Sequence, residues 1–495
     1  MKSRKTSLPD WDPAQLETLG AIRRVEVDSR RILPGDVFLA FPGGQTDGRD
    51  FIPMALEKGA VGVLWDPAGG FAWNASWNVP NLAVPALRER SGEIAGRVLG
   101  YPGRDMVMIG ITGTNGKTSL SHWLAQAFSL LGQKAALIGT VGSGFYGELA
   151  SSTHTTPDPV VIQQKLAEYR RQGAHVVTME VSSHALDQGR ANGVPFSTAL
   201  FTNLTRDHLD YHGTMEAYGE SKARLFHWEG LRHAVIYVDD AFGADLATRL
   251  DPSVDVVRYG LDGGDVRPLN LSATLDGLAM RVTTPWGEAD IRSSLLGRFN
   301  ASNLLACLSA LCVNGVALEE AVRVLAMIQP ARGRMQRIGG AHEPLVVIDY
   351  AHTPDSLEKA LETLAEIRPA GSRLFCVFGC GGDRDAGKRP MMGEIASRLA
   401  DVPVVTSDNP RSERPETIIG EILAGMPGSP VVEADRGEAI HRAIREARAG
   451  DIVLIAGKGH EEYQDINGVK RPFSDFRVAE DALTEWGRAH DADAV

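Results

Sequence analysis

The feature that most constrains this chain is a glycine-rich loop set between an apolar run and a helix. The run Met106–Ile111 predicts a strand, and the loop Gly110–Thr118 carries the chain from it into a helix. Apolar residues recur there at helical spacing: Leu120, Trp123, Leu124, Ala127, Phe128 and Leu131. A strand, a glycine turn and a helix N-terminus surround a polyphosphate with N–H groups, with Lys117 reaching the outer phosphates and Thr118 available to Mg²⁺. The strict spacing of such loops wants glycine at position 111, which is Ile111, but the complete context still predicts nucleotide-phosphate binding.

Apolar runs alternate with segments of helical period in two series along the chain. The first series has runs at 176–179, 198–201 and 234–238, and the second at 345–349, 374–378, 402–406 and 452–456. Such alternation is typical of βαβ units on a mostly parallel sheet. A smaller α/β unit precedes both series. We therefore predict an α/β protein of three domains, at 1–103, 104–335 and 336–495, with a parallel or mixed central sheet and a Rossmann-like last domain.

Composition excludes several classes of protein. The chain has 495 residues, with 51 Lys and Arg against 63 Asp and Glu, and its net charge of −12 disfavours binding to nucleic acid. No apolar stretch follows the basic N-terminus, and the longest uncharged span, 67–87, contains prolines, so we predict neither a signal peptide nor a membrane span. The four cysteines fit neither a zinc site nor a redox pair. We expect buried thiols in a cytoplasmic protein.

Polar residues close two strands of the first series. Glu180–His184 follows one strand and Thr202–His212 the next, where open α/β sheets bind ligands. Groups such as Glu180 and His208 suit a Mg²⁺ ion that carries ATP phosphates, whereas either run alone would fit helix capping. Lys222, judged by its pattern alone, is typical of a solvated helix lysine.

Two asparagines, Asn300 and Asn303, open a later helical run and would share one face of that helix. Their amides could hold an adenine edge, or Asn300 could be only an N-cap.

Three polar motifs follow strands of the second series: Gly379–Asp385, Ser407–Arg411 and Gly457–Glu461. A guanidinium grips a carboxylate bidentately and a carboxylate accepts from an ammonium, so their arginines and acids form a recognition set for a zwitterion.

Five motifs together resemble those of the Mur ligases of peptidoglycan synthesis, in the same order. They are Thr112–Thr118, Glu180–His184, Asn203–His212, Asp349–Pro354 and Gly457–Glu461. Within this family the chain is most similar to the ligases that add the third residue of the stem peptide. Its Asp408-Asn409-Pro410-Arg411 tetrad resembles the version that selects meso-diaminopimelate over lysine.

The resemblance implies an ATP-dependent acid–amino-acid ligase of cell-wall synthesis. It would join meso-diaminopimelate to the D-glutamyl γ-carboxylate of UDP-N-acetylmuramoyl-L-Ala-D-Glu through an acyl phosphate, releasing ADP and phosphate. The three domains would bind the uridine nucleotide, ATP and the amino acid, in that order. Mg²⁺ would be the cofactor, and a carbamylated Lys222 would help to hold it. We expect a monomer.

The same resemblance assigns residues to each ligand. The uridine nucleotide and dipeptide would contact Val27, Ser29, Gly44, Gln45, Thr46, Thr155, Thr156, Ser182, Gln188 and Arg190. ATP would contact Gly113, Thr114, Asn115, Gly116, Lys117, Thr118, Ser119, Asn300, Asn303, Arg334 and Asp349. The catalytic residues would be Lys117, Glu180, His208 and Lys222, and the metal ligands Thr118, Glu180, His208 and carbamylated Lys222. Diaminopimelate would contact Arg384, Asp408, Asn409, Pro410, Arg411, Gly457 and Glu461.

Three alternatives stay open at this point. The first is a ligase of the same type that adds L-lysine, and the second is a ligase like the folylpolyglutamate synthetases, which share the phosphate loop but lack a domain such as 1–103. The third is an assembly ATPase that hydrolyses ATP without an amino acid.

Overall fold

The computed structural model describes residues 8–44, 46–152, 154–340, 342–428 and 430–492. The chain forms two compact units, Met1–Ile236 with Asp240–Val257 and Tyr237–Asp239 with Arg258–Val495. Within the described residues no helix is both long enough and apolar enough to span a membrane. All four cysteines are free and buried, as predicted.

The first unit begins with a small parallel sheet. Its strands β1 (Val25–Glu26), β2 (Val37–Ala40), β3 (Gly62–Trp65) and β4 (Asn81–Ala83) pair in chain order, with helices α1 (Ile52–Glu57) and α2 (Leu87–Val98). Leu39 and Leu64 share a core with α2, whereas Phe38 and Val63, one residue earlier in each strand, share one with α1. Because successive strand residues point to opposite faces, the apolar runs cover the sheet on both sides.

A larger, mixed sheet follows in the first unit. Its strands are β5 (Val107–Thr112), β6 (Ala135–Ile138), β7 (Ser143–Phe145), β8 (Glu148–Ala150), β9 (Val176–Glu180), β10 (Thr198–Phe201), β11 (His233–Tyr237) and β12 (Asp255–Tyr259), and its helices are α3 (Lys117–Leu130), α4 (Pro159–Arg171), α5 (Ser183–Asp187), α6 (Leu209–His212), α7 (Met215–Ala223) and α8 (Ala241–Thr248). The order is β12-β11-β10-β5-β9-β6-β7-β8, with β6–β7 and β7–β8 antiparallel. Strands β10, β5 and β9 are parallel neighbours. Their carboxyl ends therefore meet at one edge of the sheet, which carries the phosphate loop.

The second unit contains an antiparallel sheet that the sequence analysis did not predict. Its strands are β13 (Arg267–Thr274), β14 (Gly277–Thr284) and β15 (Gly287–Ser293), and helices α9 (Arg298–Val313) and α10 (Leu318–Leu325) follow. The pair Asp276-Gly277 at the first turn is a hairpin signal that could have revealed the sheet. Exposed residues alternate with half-buried ones along β13, so no continuous apolar run marks it.

The second unit ends in a doubly wound sheet. Its strands are β16 (Gln336–Gly339), β17 (Leu345–Asp349), β18 (Leu374–Phe378), β19 (Val402–Val405), β20 (Val431–Val432) and β21 (Ile452–Ala456), with a hairpin of β22 (Tyr463–Ile466) and β23 (Val469–Pro472), and its helices are α11 (Pro354–Ile367), α12 (Lys388–Leu399), α13 (Pro415–Leu423), α14 (Arg436–Glu446) and α15 (Asp475–Ala492). The order is β16-β17-β21-β18-β19-β20, parallel except for β16. Val347 and Leu454 share a core with α11–α13, whereas Val346 and Val453 share one with α14 and α15. The predicted α/β class with a mixed central sheet is confirmed.

Candidate active site

The glycine-rich loop turns at Gly113, not at the position that the strict spacing assigns to glycine. Gly113 has a φ of 145°, and a Cβ there would lie 1.8 Å from the Thr202 hydroxyl oxygen, so only glycine fits. The Thr114 N–H donates to the Asn203 carbonyl and the Asn115 N–H to the Asn203 side-chain oxygen, both at 2.9 Å. The loop is therefore held in place by the segment that follows β10.

Helix α3 begins where the loop ends. Gly116 is its N-cap, in the left-handed region at φ 89°, and Thr118 and Ser119 are buried in its first turn. The N-terminus of a helix of this length carries a partial positive charge that favours phosphate groups. The loop and the first turn of α3 thus have the conformation that the sequence predicted for a phosphate site.

Glu180 ends β9 and is 1% exposed. Its carboxylate accepts hydrogen bonds from the Thr118 hydroxyl (2.9 Å), the Thr140 N–H (2.8 Å) and the Thr140 hydroxyl (3.0 Å). The hydroxyls of Thr140 and Thr155 are 3.0 Å apart. A buried carboxylate beside the threonine of a phosphate loop supplies the oxygen ligands that Mg²⁺ prefers.

Lys117 and Lys222 donate to the same acceptor, the Gly113 carbonyl, each at 2.8 Å. Their Nζ atoms are therefore at most about 5.6 Å apart, where two ammonium ions repel by about 3 kcal/mol at an effective dielectric constant of ~20. Lys222 is 1% exposed, so the prediction of a solvated lysine from its pattern is wrong. Burial, helped by the Lys117 charge, lowers the pKa of the Lys222 ammonium well below its usual range.

His208 begins α6 with a φ of 54°, and its Nε2 lies 3.3 Å from the Asp207 carboxylate. Its ring packs edge-on against that of His184, with centroids 4.8 Å apart. Burial lowers the pKa of His208, and it lowers that of His184 to about 4, so both rings are neutral at pH 7. Among the described residues no three His, Cys, Asp or Glu side chains come together as a metal site.

The predicted dipeptide contacts gather around Thr156. Its hydroxyl donates to the Glu180 carbonyl (2.9 Å) and accepts from the Ser182 N–H (3.1 Å). Arg190 donates to the Thr156 carbonyl (3.3 Å) and to Gln188 Oε1 (2.9 Å). Ser182 is also the N-cap of α5, so the same side chain caps a helix and belongs to the predicted dipeptide contacts.

The residues predicted to contact the uridine nucleotide lie on the small N-terminal sheet. Ser29 is buried beside β1, and Val27 packs against the core of that sheet. Gly44 and Thr46 are exposed in the loop after β2. Gln45 lies outside the described residues.

The residues predicted to contact adenosine lie in the second unit. Asn300 and Asn303 are buried in α9, and the Asn303 amide donates to Asn300 Oδ1 (3.1 Å). Gly297 is the N-cap of α9, so the alternative that Asn300 is only an N-cap is wrong. Burial raises the pKa of the Asp349 carboxyl, and the charge of Arg334 opposes that shift. The two asparagines thus present paired amides.

The residues predicted to contact diaminopimelate follow the adjacent strands β18, β19 and β21. The amide of Asn409, after β19, donates to Glu461 Oε2, after β21, at 2.8 Å. Gly457 has a φ of 124°, and a Cβ there would lie 3.2 Å from Asp408 Oδ2. Arg411 adopts a φ of 51°, and its guanidinium donates to the Gly382 carbonyl, in the loop after β18, at 2.7 Å. These residues combine both signs of charge, as recognition of a zwitterion requires.

The loops after β18 and β19 pack directly on each other. A Cβ at Gly382 would lie 1.9 Å from the Pro410 carbonyl oxygen, so the two loops meet backbone to backbone. Arg384, on the loop after β18, is exposed.

Two buried cations of this site are not among the residues predicted from the sequence. Lys458 is 0% exposed and donates to Asn409 Oδ1 (2.9 Å). Arg436 is paired with Asp475 through two bonds of 2.7 and 2.8 Å, and it donates to the Ala456 carbonyl at the end of β21 (3.0 Å). Lys458 stands between two glycines directly after a buried strand, which is a signal that could have identified it.

Three family models match the chain in succession. They are "Mur ligase family, catalytic domain" at residues 21–98, "Mur ligase middle domain" at 111–311 and "Mur ligase, glutamate ligase domain" at 333–459. Together they span most of the chain.

Curated relatives and a solved structure are similar over nearly the whole length. A UDP-N-acetylmuramoyl-L-alanyl-D-glutamate–2,6-diaminopimelate ligase from Chromobacterium violaceum is 74% identical over 99% of this chain and 100% of the relative. The ligase of the same name from Neisseria meningitidis is 55% identical over 98% of this chain and 99% of the relative. A solved structure of a ligase so named is 39% identical, with a TM-score of 0.71 over 94% of this chain and 95% of that chain.

Proposed function

Because the chain belongs to the Mur ligase family, we propose that it joins meso-diaminopimelate to the D-glutamyl γ-carboxylate of UDP-N-acetylmuramoyl-L-alanyl-D-glutamate with cleavage of ATP. The observation that carries this proposal is the 74% identity, over 99% of the chain, to a relative whose name states this reaction. The geometry agrees with it. One unit carries a phosphate loop beside a buried carboxylate, and the other carries a cluster of both charge signs suited to an amino acid.

The first step transfers the γ-phosphoryl group of ATP to the γ-carboxylate, which gives an acyl phosphate and ADP. Lys117 and the first turn of α3 stabilise the charge that develops on the phosphate oxygens. Thr156, with Arg190 behind it, orients the dipeptide beside Glu180. Mur ligases use ATP with Mg²⁺, and Thr118 and Glu180 would hold that ion, which neutralises phosphate charge when it is bound.

In the second step, the amine of diaminopimelate attacks the acyl carbon. A C–N bond forms, a tetrahedral intermediate collapses, and the C–O bond to phosphate breaks while the amine loses a proton. Arg411 would bind a carboxylate of the amino acid and Glu461 would accept from an ammonium. The amine must come within ~3–3.5 Å of the acyl carbon for the attack.

We also propose that Lys222 is carbamylated. The reaction needs a neutral amine, which attacks CO₂ and loses a proton to give an N-carboxylate. Burial at 1% exposure and the competition with Lys117 for the Gly113 carbonyl both favour the neutral amine. The product is an anion close to Lys117, which replaces repulsion by attraction and adds an oxygen ligand for Mg²⁺.

A carbamate at Lys222 has two tests. Carbon-13 NMR with labelled bicarbonate should show a carbamate signal that Lys222→Ala lacks and that Lys134→Ala, which changes an exposed lysine of the same unit, keeps. A short-chain carboxylate should rescue the activity of Lys222→Ala better than bicarbonate does. A spectrum without the signal in the parent protein would refute the carbamate.

One assay tests the proposed function against its alternatives. Phosphate release is followed with UDP-N-acetylmuramoyl-L-Ala-D-Glu and with diaminopimelate, lysine or no amino acid. We expect release only with diaminopimelate. Release with lysine alone would identify a lysine-adding ligase, and release without an amino acid would identify an ATPase. Release only when a folate and glutamate replace the nucleotide substrate and diaminopimelate would identify a ligase of the folylpolyglutamate type.

We further propose that the protein acts in the cytoplasm as a monomer, with domains at 1–103, 104–335 and 336–495. Light scattering of the purified protein tests the monomer, and folding of the separately expressed 1–103 segment tests the first boundary.

A further inference from the structure

A buried lysine stands at the centre of the residues assigned to diaminopimelate. The Nζ of Lys458 donates to Asn409 Oδ1 at 2.9 Å and lies 3.1 Å from Glu461 Oε2 and 3.5 Å from Asp408 Oδ1. Its side chain is 0% exposed, whereas those of Asp408 and Glu461 are 8% and 17% exposed. The lysine therefore lies behind the carboxylates, where a ligand contacts them and not it.

The hydrogen bonds around Lys458 fix the orientation of its neighbours. Asn409 Oδ1 accepts from Lys458 and from the Asp465 N–H (2.9 Å), which leaves its NH₂ group to donate to Glu461 Oε2. Asp465 also accepts, through its carbonyl, the N–H of Arg411 (3.0 Å). One ammonium thus orders an amide, two carboxylates and, through Asp465, the backbone of the arginine.

Lys458 also sets the charge of the cluster. Among the residues assigned to diaminopimelate, Asp408 and Glu461 contribute two negative charges and Arg384 and Arg411 two positive ones, and Lys458 adds a third positive charge. The nearby Arg436 guanidinium is already paired with Asp475, whose side chain is 0% exposed. Without Lys458 the excess positive charge beside the two carboxylates would be lost.

Diaminopimelate and lysine differ in the charge of the end that lies away from the reacting amine. The far end of diaminopimelate carries an ammonium and a carboxylate and is neutral, whereas that of lysine carries an ammonium alone. A cluster with an excess positive charge attracts the added carboxylate and repels the lone cation, whereas a cluster without that excess discriminates less between the two amino acids.

Resting on the function proposed above, we infer that Lys458 is a positioning residue that determines specificity, because its buried charge lets the site accept the second carboxylate of diaminopimelate. Its loss should shift the enzyme from diaminopimelate toward lysine. A lysine that only supported the fold would lower activity with both amino acids equally.

The test compares Lys458→Met with the parent in phosphate release at varied diaminopimelate, lysine and ATP. We expect the KM for diaminopimelate to rise roughly 10- to 100-fold, as for loss of a hydrogen bond to a charged group, with the KM for ATP within about twofold of the parent. The ratio of kcat/KM for diaminopimelate to that for lysine should fall by a similar factor. Lys470→Met, which removes an exposed lysine of the β22–β23 hairpin, should leave both values unchanged.

Two results would overturn the inference: a KM for diaminopimelate within twofold of the parent, or equal losses with diaminopimelate and lysine. If Lys458→Met does not fold, Lys458→Gln, which keeps an N–H donor but no charge, provides the same comparison. A parent protein that shows no diaminopimelate-dependent release would refute the proposed function, which is a different outcome from an unchanged ratio in the variant.

Discussion

The Glu180 carboxylate can be displaced without changing its chemistry, through the glycine that faces it. A Cβ at Gly139 would lie 2.2 Å from Glu180 Oε1, where ordinary contact needs at least 3.4 Å. The Gly139 backbone is in a conformation open to other residues, so Gly139→Ala acts through this contact alone. Relief of this clash needs a displacement of about 1.2 Å, which is large enough to disturb the bonds that Glu180 accepts from the Thr140 N–H and the Thr118 hydroxyl.

The loss of the Thr118 bond alone gives the magnitude. A hydrogen bond to a charged group contributes about 1.5–3 kcal/mol, so kcat/KM for ATP should fall roughly 10- to 150-fold. Initial rates of phosphate release at varied ATP measure this, and the KM for diaminopimelate should stay unchanged. Gly420→Ala, in α13 with no atom within 4 Å of the added Cβ, serves as the control and should keep full activity. If Gly139→Ala keeps kcat/KM for ATP within twofold of the parent, the position of the Glu180 carboxylate does not matter to catalysis.

Three further substitutions test other parts of the argument. Lys117→Ala removes the cation of the phosphate loop, so turnover should fall at least 100-fold, and an active variant would contradict the assignment of the loop. Arg411→Ala should raise the KM for diaminopimelate roughly 10- to 100-fold and leave that for ATP unchanged, because the proposed role of this arginine is to bind the amino acid and not the nucleotide; equal effects on both would argue against it. Arg436→Met leaves the buried Asp475 carboxylate unpaired and should cost about 3–5 kcal/mol in the free energy of unfolding in urea, and a loss below 1 kcal/mol would contradict the structural role of the pair.

Local sequence pattern was enough to predict the strands that carry the phosphate loop and the residues assigned to diaminopimelate. The runs at 345–349, 374–378 and 452–456 coincide with β17, β18 and β21, because strands covered on both faces are continuous apolar runs. The same reasoning failed for β13–β15: exposed residues alternate with half-buried ones along β13, and exposed residues also interrupt the buried ones in β14 and β15.

Contacts between distant residues could not be predicted in this way. Gly113 rather than position 111 makes the turn because Thr202, far along the chain, fills the space beside it. Lys458 bonds to Asn409, 49 residues earlier, and no spacing rule connects them. The pattern around Lys222 predicted a solvated helix lysine because the Gly113 carbonyl that it contacts lies 109 residues earlier in the chain.

Two lysines illustrate why burial alone does not determine the charge of a group. Lys222 and Lys458 are 1% and 0% exposed, so both side chains are almost fully removed from bulk water. Lys222 shares a carbonyl acceptor with Lys117 and packs on the Tyr218 ring, and burial together with the Lys117 charge favours the neutral amine needed for carbamylation. Lys458 meets two carboxylates and an amide oxygen, which favour the ammonium. One lysine is therefore suited to become an anion and the other to remain a cation, and the difference lies in their partners, which only the fold brings together.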